Sequence, residues 1–412
     1  MDRRPPNRVH GARQARRDKQ ILTQQGQRLQ QYDDARDSMD PHDIWPKLTQ
    51  PVLPLGCFDT LYKMACDDSF DQSLVHVLYQ HYYITALSME LSTTNRIRLL
   101  QTLNILVNLA YVSGFMVMQG APNILLHMQR FILCDDVEVV VQALNLVNNM
   151  AAENNESVNE QLWNHIDATL NLAIPLHRNN VQIMTWILRV MTVVVTNTPS
   201  LVNSQTMNIL MRQPNYMHDY DYLESLFDIY KVLQSQHVSF YPAATLQVLN
   251  NLSLYPEAIV IAALDCTLDV YDIVAESIWQ ALDSISSFTD ILMRKYTMTL
   301  FCIIQYGYMP RAEVLENMAS IYEHLPYSSS KAWIGAAICQ TRMYSIEKCL
   351  DIATKTLPRT FEPAVLRALN EYVEYAMQQG YAVDVTDVPS LFETAAVQGQ
   401  DELYFINHAA YP

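Results

Sequence analysis

Leu125–Ala151 reads LLHMQRFILCDDVEVVVQALNLVNNMA. The apolar residues on either side of Cys134-Asp135-Asp136 follow a helical pattern, so two helices meet there at a short polar turn. An aspartate in such a turn caps the second helix by accepting from its free backbone amides. Helices grouped in so small a unit cannot bury their apolar faces alone and must stack against copies of themselves.

Copies are present. The last part of the stretch, ALNLVNNMA at Ala143–Ala151, resembles TLNILVNLA at Thr102–Ala110, MTWILRVMT at Met184–Thr192 and TLQVLNNLS at Thr245–Ser253. The seventh residues are Asn108, Asn149, Val190 and Asn251, spaced by 41, 41 and 61 residues. Two equal steps near 40 match the period of armadillo or HEAT units, and the longer step predicts an insertion of about twenty residues around Met211–Asp221. Weaker copies at Glu276–Ser286, Val314–Tyr322 and Ala364–Tyr372 extend the pattern to about eight units between Asp43 and Val383. The expected fold is all-α, a superhelical solenoid in which the last helix of each unit lines a continuous inner groove.

Composition supports helices. Only 9 of the 412 residues are glycine, too few for the turns and bulges of sandwiches, barrels or nucleotide-binding α/β folds. Half of the chain is hydrophobic and 17% is charged, which supplies a large core. The seven scattered cysteines form no Cys-x-x-Cys pair and read as buried thiols in a reducing compartment. The basic amino terminus has no apolar stretch after it, and Ala258–Leu264 and Val190–Val195 fall far short of a membrane span, so neither export nor membrane insertion is expected. No phosphate loop, nucleophile elbow or metalloprotease motif is present, and His76 and His81 stand five apart on different helix faces. Neither enzymatic activity nor a metal or other cofactor is expected.

The ends carry opposite charge. Formal net charge is −16, with 27 Lys and Arg against 43 Asp and Glu, yet Arg3, Arg4, Arg8, Arg13, Arg16, Arg17 and Lys19 crowd the first twenty residues. Residues 1–40 are predicted to form a disordered basic tail that folds back on the acidic body or reaches an acidic partner. After Arg367 no cation follows, while Asp384, Asp387, Glu393, Asp401 and Glu402 do, so 384–412 is predicted as an acidic tail after repeats over 41–383. So acidic a body repels phosphate, and nucleic acid is not an expected ligand.

On these residues the chain resembles the importin alpha family. Asn108, Asn149 and Asn251 match the asparagine of its third-helix motif Ala-Leu-Trp-x-Leu-x-Asn-Ile-Ala, Trp186 matches the tryptophan, and HGARQARRDKQIL at 10–22 resembles the start of the importin-beta-binding segment. The resemblance spans nearly the whole chain. It implies a right-handed armadillo superhelix whose groove holds a basic localisation peptide. Asparagine amides would bond the peptide backbone, and tryptophan faces would stack on lysine and arginine stems. The implied groove residues are Asn104, Asn108, Asn145, Asn149, Trp186, Gln247, Asn251 and Trp279. Asn104, Asn145 and Gln247 stand where the family has tryptophan, and Glu153 and Val158 replace its lysine pocket, which makes this a divergent member. Taken singly, an asparagine on such a helix also serves by bonding a neighbouring turn, and a tryptophan by packing inward. The implied partners are importin beta, basic cargo proteins and a nuclear export receptor, and the implied location is cytoplasm and nucleus. The rival expectation is an armadillo scaffold outside transport that holds another extended peptide.

Overall fold

The computed structural model describes residues 57–382, apart from 122, 154, 202–215, 237, 239–241 and 269, and it is all-helical there. Two compact units divide the chain at Thr169 and Leu170. The expected tails at 1–40 and 384–412 lie outside the described residues, as do residues 211–215 of the expected insertion at Met211–Asp221.

Unit 1 holds α1 (Cys57–Cys66), α2 (Gln72–Gln80), α3 (Tyr83–Glu90), α4 (Arg96–Val112), α5 (Gly114–Gly120), α6 (Ile124–Ile132), α7 (Val137–Ala151) and the start of α8 (Glu156–His177). Two groups follow one plan, short, short and then long: α2, α3, α4 and α5, α6, α7. The long helices α4 and α7 pack on each other and α4 also packs on α1, so successive final helices form a ladder. Their starts are 39 and 41 residues apart. Leu103, Ile105 and Leu106 of α4 and Val140, Leu144 and Val147 of α7 are fully buried. Each such side chain contributes about 2 kcal/mol by leaving water, so the ladder contact outweighs any local propensity.

Local signals set the ends. Asn95 accepts from the amide of Arg98 to start α4, and Asp136 accepts from those of Glu138 and Val139 to start α7, as the polar turn predicts. Gly114 lets α5 begin hard against the end of α7, since a Cβ there would lie 2.7 Å from the Met150 Cα. Only a residue without Cβ permits that approach.

Unit 2 follows a two-helix plan. After α9 (Val181–Asn197) come α10 (Tyr220–Ser235), α11 (Ala243–Leu249), α12 (Glu257–Asp265), α13 (Tyr271–Ala281), α14 (Asp290–Gln305), α15 (Ala312–His324), α16 (Ser329–Thr341), α17 (Ile346–Thr356) and α18 (Pro363–Gln378). The ladder here is α9, α10, α12, α14, α16 and α18, each packed on the next. Their starts are 33 to 39 residues apart.

This order corrects the sequence register. The helix packed on α9 is α10, so the period continues without a 61-residue step. TLQVLNNLS instead falls in the short α11, which packs on α12 and α13, and in the turn after it. The copy at Glu276–Ser286 falls on α13 and the one at Val314–Tyr322 on α15, neither of them a ladder helix; Ala364–Tyr372 falls on α18, which is. Similar local patterns occur on both kinds of helix, because both bury one apolar stripe.

Candidate functional site

The asparagines of α4 and α7 come together. Asn149 Nδ2 donates to the Val107 carbonyl of α4 at 2.9 Å, which brings Asn149 against the residue preceding Asn108. Asn108 Nδ2 donates to the Asn104 carbonyl and its Oδ1 at 2.9 and 3.0 Å. Asn104 is therefore a buried acceptor, 6% exposed, while Asn108, Asn145 and Asn149 are half-buried. At i and i+4, each pair shares one face of its helix.

Charged groups border this face and are engaged. Arg96 binds Asp136 at 2.5 Å and Glu138 at 2.9 Å, and its hydrogen bond to Asp136 holds that carboxyl below the ordinary aspartate range. Glu153 accepts from the Phe115 amide at the start of α5, and Ser113 Oγ lies within 3.5 Å of it. Arg98 reaches Glu90 at 3.3 Å and Asp59 at 4.0 Å. Glu153 thus engages the start of α5.

In unit 2 the implied groove residues do not assemble. Trp186 is 5% exposed in α9, and its ring faces Arg189, whose guanidinium carbon sits 5.0 Å from the ring centroid. Arg189 Nε also donates to Ser225 Oγ of α10 at 3.4 Å, so the chain supplies the cation itself. Trp279, 7% exposed, packs in α13, off the ladder. Neither tryptophan presents a ring face for a cargo cation to stack on, because both rings serve the core. Gln247 and Asn251 are exposed on and after α11, and Asn251 Nδ2 donates to the Gln247 carbonyl. They stand off the ladder that carries α9 and α10. The tail residues Arg3, Arg4, Arg8, Arg13, Arg16, Arg17 and Lys19 lie outside the described residues.

One cluster escaped the sequence reading. Lys231 of α10 and Lys295 of α14 both pair with Asp265, the last residue of α12, with Lys231 Nζ at 2.9 Å from Oδ2. The only sequence signal was an aspartate ending the apolar run Ala258–Leu264. The pairing joins three successive ladder helices, and such pairs survive partial burial because each charge meets its opposite.

Among the described residues no group of His, Cys, Asp and Glu could hold a metal ion, and no helix is long and apolar enough to cross a membrane. No protein-family model matches the chain, and a search of curated proteins finds no match either.

Proposed function

We propose that the chain is an adaptor of the importin alpha type, which holds an extended segment of a cargo protein on its ladder helices and links it to importin beta through Arg3–Lys19. In this reading α2–α4 and α5–α7 are armadillo repeats, and the protein shuttles between cytoplasm and nucleus. One observation carries it: the motif asparagines of two successive copies stand side by side on adjoining helices, joined by the bond from Asn149 to Val107. Amides repeated along a groove bond a peptide backbone without regard to its side chains, which suits a carrier of many cargoes. The cationic segment supplies the charge that an acidic receptor surface attracts.

The test is a titration of the full chain against importin beta beside a chain lacking residues 1–20. Submicromolar binding that the truncation abolishes supports the transport reading. Absence of binding by either chain would sink it and leave the second reading, an armadillo scaffold outside transport. The burial of Trp186 and Trp279 favours that second reading, because it removes the stacking faces on which a basic cargo peptide depends.

A further inference from the structure

The turn between α17 and α18 reads Leu357-Pro358-Arg359-Thr360-Phe361-Glu362-Pro363. Its two prolines restrict the backbone at 358 and 363, and Thr360 between them is extended and 7% exposed. In extended backbone the two neighbours of an inward-facing residue point the other way, so Arg359 and Phe361 stand side by side toward solvent. Phe361 is 89% exposed, more than any other large apolar side chain among the described residues. Both residues border a cleft of about 400 Å³ within unit 2, whose walls also include Tyr327, Ser329 and Ala332 around the start of α16 and Glu362 just before α18. A cleft of that volume has room for a small organic ligand.

The charges on its walls are unequally engaged. The Glu362 side chain is 19% exposed; its Oε1 binds Arg294 of α14 at 2.8 Å and accepts from Ser329 Oγ at 2.9 Å. Arg294 therefore balances its charge. Arg359 is exposed, and its guanidinium carbon lies 5.3 Å from the centroid of the Tyr327 ring. That contact sets charge against a ring face, and the N–H donors of Arg359 meet no acceptor among the described residues. The two guanidinium groups at this cleft thus outnumber the one carboxylate, and the surplus positive charge sits beside two aromatic rings.

We propose that this cleft binds a small carboxylic acid bearing an aromatic ring, its carboxylate held by Arg359 and its ring resting on Phe361. The fork of a guanidinium matches the two oxygens of a carboxylate, and the pairing strengthens beside apolar surface that excludes water. Phe361 and Tyr327 supply that surface and offer a ligand ring offset or edge-to-face contact. One surplus guanidinium balances one negative charge, so a monoanion suits the cleft better than a phosphate dianion facing Glu362. An amine would meet like charge from both Arg294 and Arg359. This site is independent of the asparagines of α4 and α7 and of the adaptor reading.

N-acetylphenylalanine, its neutral amide, acetate and phenethylamine are titrated against the full chain by calorimetry and ligand-observed NMR at constant ionic strength, and again with Arg359→Gln and Phe361→Ala. Both positions are exposed, thermal melts check that the variants stay folded, and the comparison of acid with amide in the native chain carries the test without any variant. The acid is expected to bind with a Kd of roughly 0.1–1 mM, ordinary for a ligand of this size. Its amide should bind about fivefold or more weakly for want of the charged pair. Arg359→Gln should bring the acid down to the level of the amide while leaving the amide unchanged, and Phe361→Ala should weaken both. Acid and amide binding alike, or phenethylamine binding as tightly as the acid, would overturn the charge assignment. Acetate binding as tightly as the acid, or no effect of Phe361→Ala, would overturn the role of the ring. Failure of the acid to bind at about ten times the expected Kd overturns the site itself.

Discussion

At the scale of single residues, close approach and amide bonding decide whether α4, α5 and α7 hold together. Gly114→Val places a branched side chain where a Cβ alone would sit 2.7 Å from the Met150 Cα and 2.9 Å from its carbonyl oxygen, so backbone must move. The expected loss is about 2–3 kcal/mol, read as a lowered urea midpoint with unchanged slope. Asn149→Ala removes the donor to Val107 and is expected to lose about 1 kcal/mol in the same measurement, an effect absent from Asn145→Ala. The register of Asn108 and Asn149 was legible in the sequence because one full period separates them and each falls in a helix with one open face. Trp186 was not. Ile183–Leu188 are buried without a break, so α9 is apolar all round and its periodicity could not say whether the ring turned to a groove or to the core.

At the scale of elements, the turn before α7 concentrates two effects on one carboxylate. Asp136 caps the helix and also binds Arg96. Asp136→Ala loses both and is expected to cost about 1–2 kcal/mol, whereas Asp136→Asn keeps a capping oxygen and loses only the ion pair, below about 1 kcal/mol. The two variants also differ from the native chain in their response to acid. Since Arg96 holds the folded carboxyl below its unfolded value, its stabilisation is fully present above the ordinary aspartate range and is lost as pH falls through the folded value. Urea midpoints of native chain and Asp136→Asn should therefore converge as pH is lowered from 7 toward 2; a gap that stays constant would refute the assignment. The start of α7 could be read from Cys134-Asp135-Asp136 because capping is a local event. Which helix packs on which could not. The fourth copy at Thr245–Ser253 matches the repeated pattern, yet long-range packing gives that place to α10.

At the scale of the whole molecule, helical order was legible from scarce glycine and abundant apolar residues, and the change from three-helix to two-helix groups was not, because both bury similar stripes. Each unit has its own ladder and its own buried side chains. Stability in such chains is a sum of unit and nearest-neighbour contributions rather than one global quantity. Gly114→Val is therefore expected to raise hydrogen exchange throughout α4–α7 while α12–α16 keep their protection, and a uniform increase along the chain would contradict this. The seven cysteines give a last consequence. None is joined in a disulfide; five are buried, and burial pushes the half-buried Cys134 and Cys302 thiols above the ordinary range. A thiolate is the species that attacks an alkylating reagent, so at neutral pH and on short exposure the native chain stays largely unlabelled by a maleimide. The molecule thus provides its own dark background: one cysteine introduced at Ile97 or Val137 would carry a dye alone, and quenching of that dye would follow a ligand's arrival in real time without any native thiol being removed.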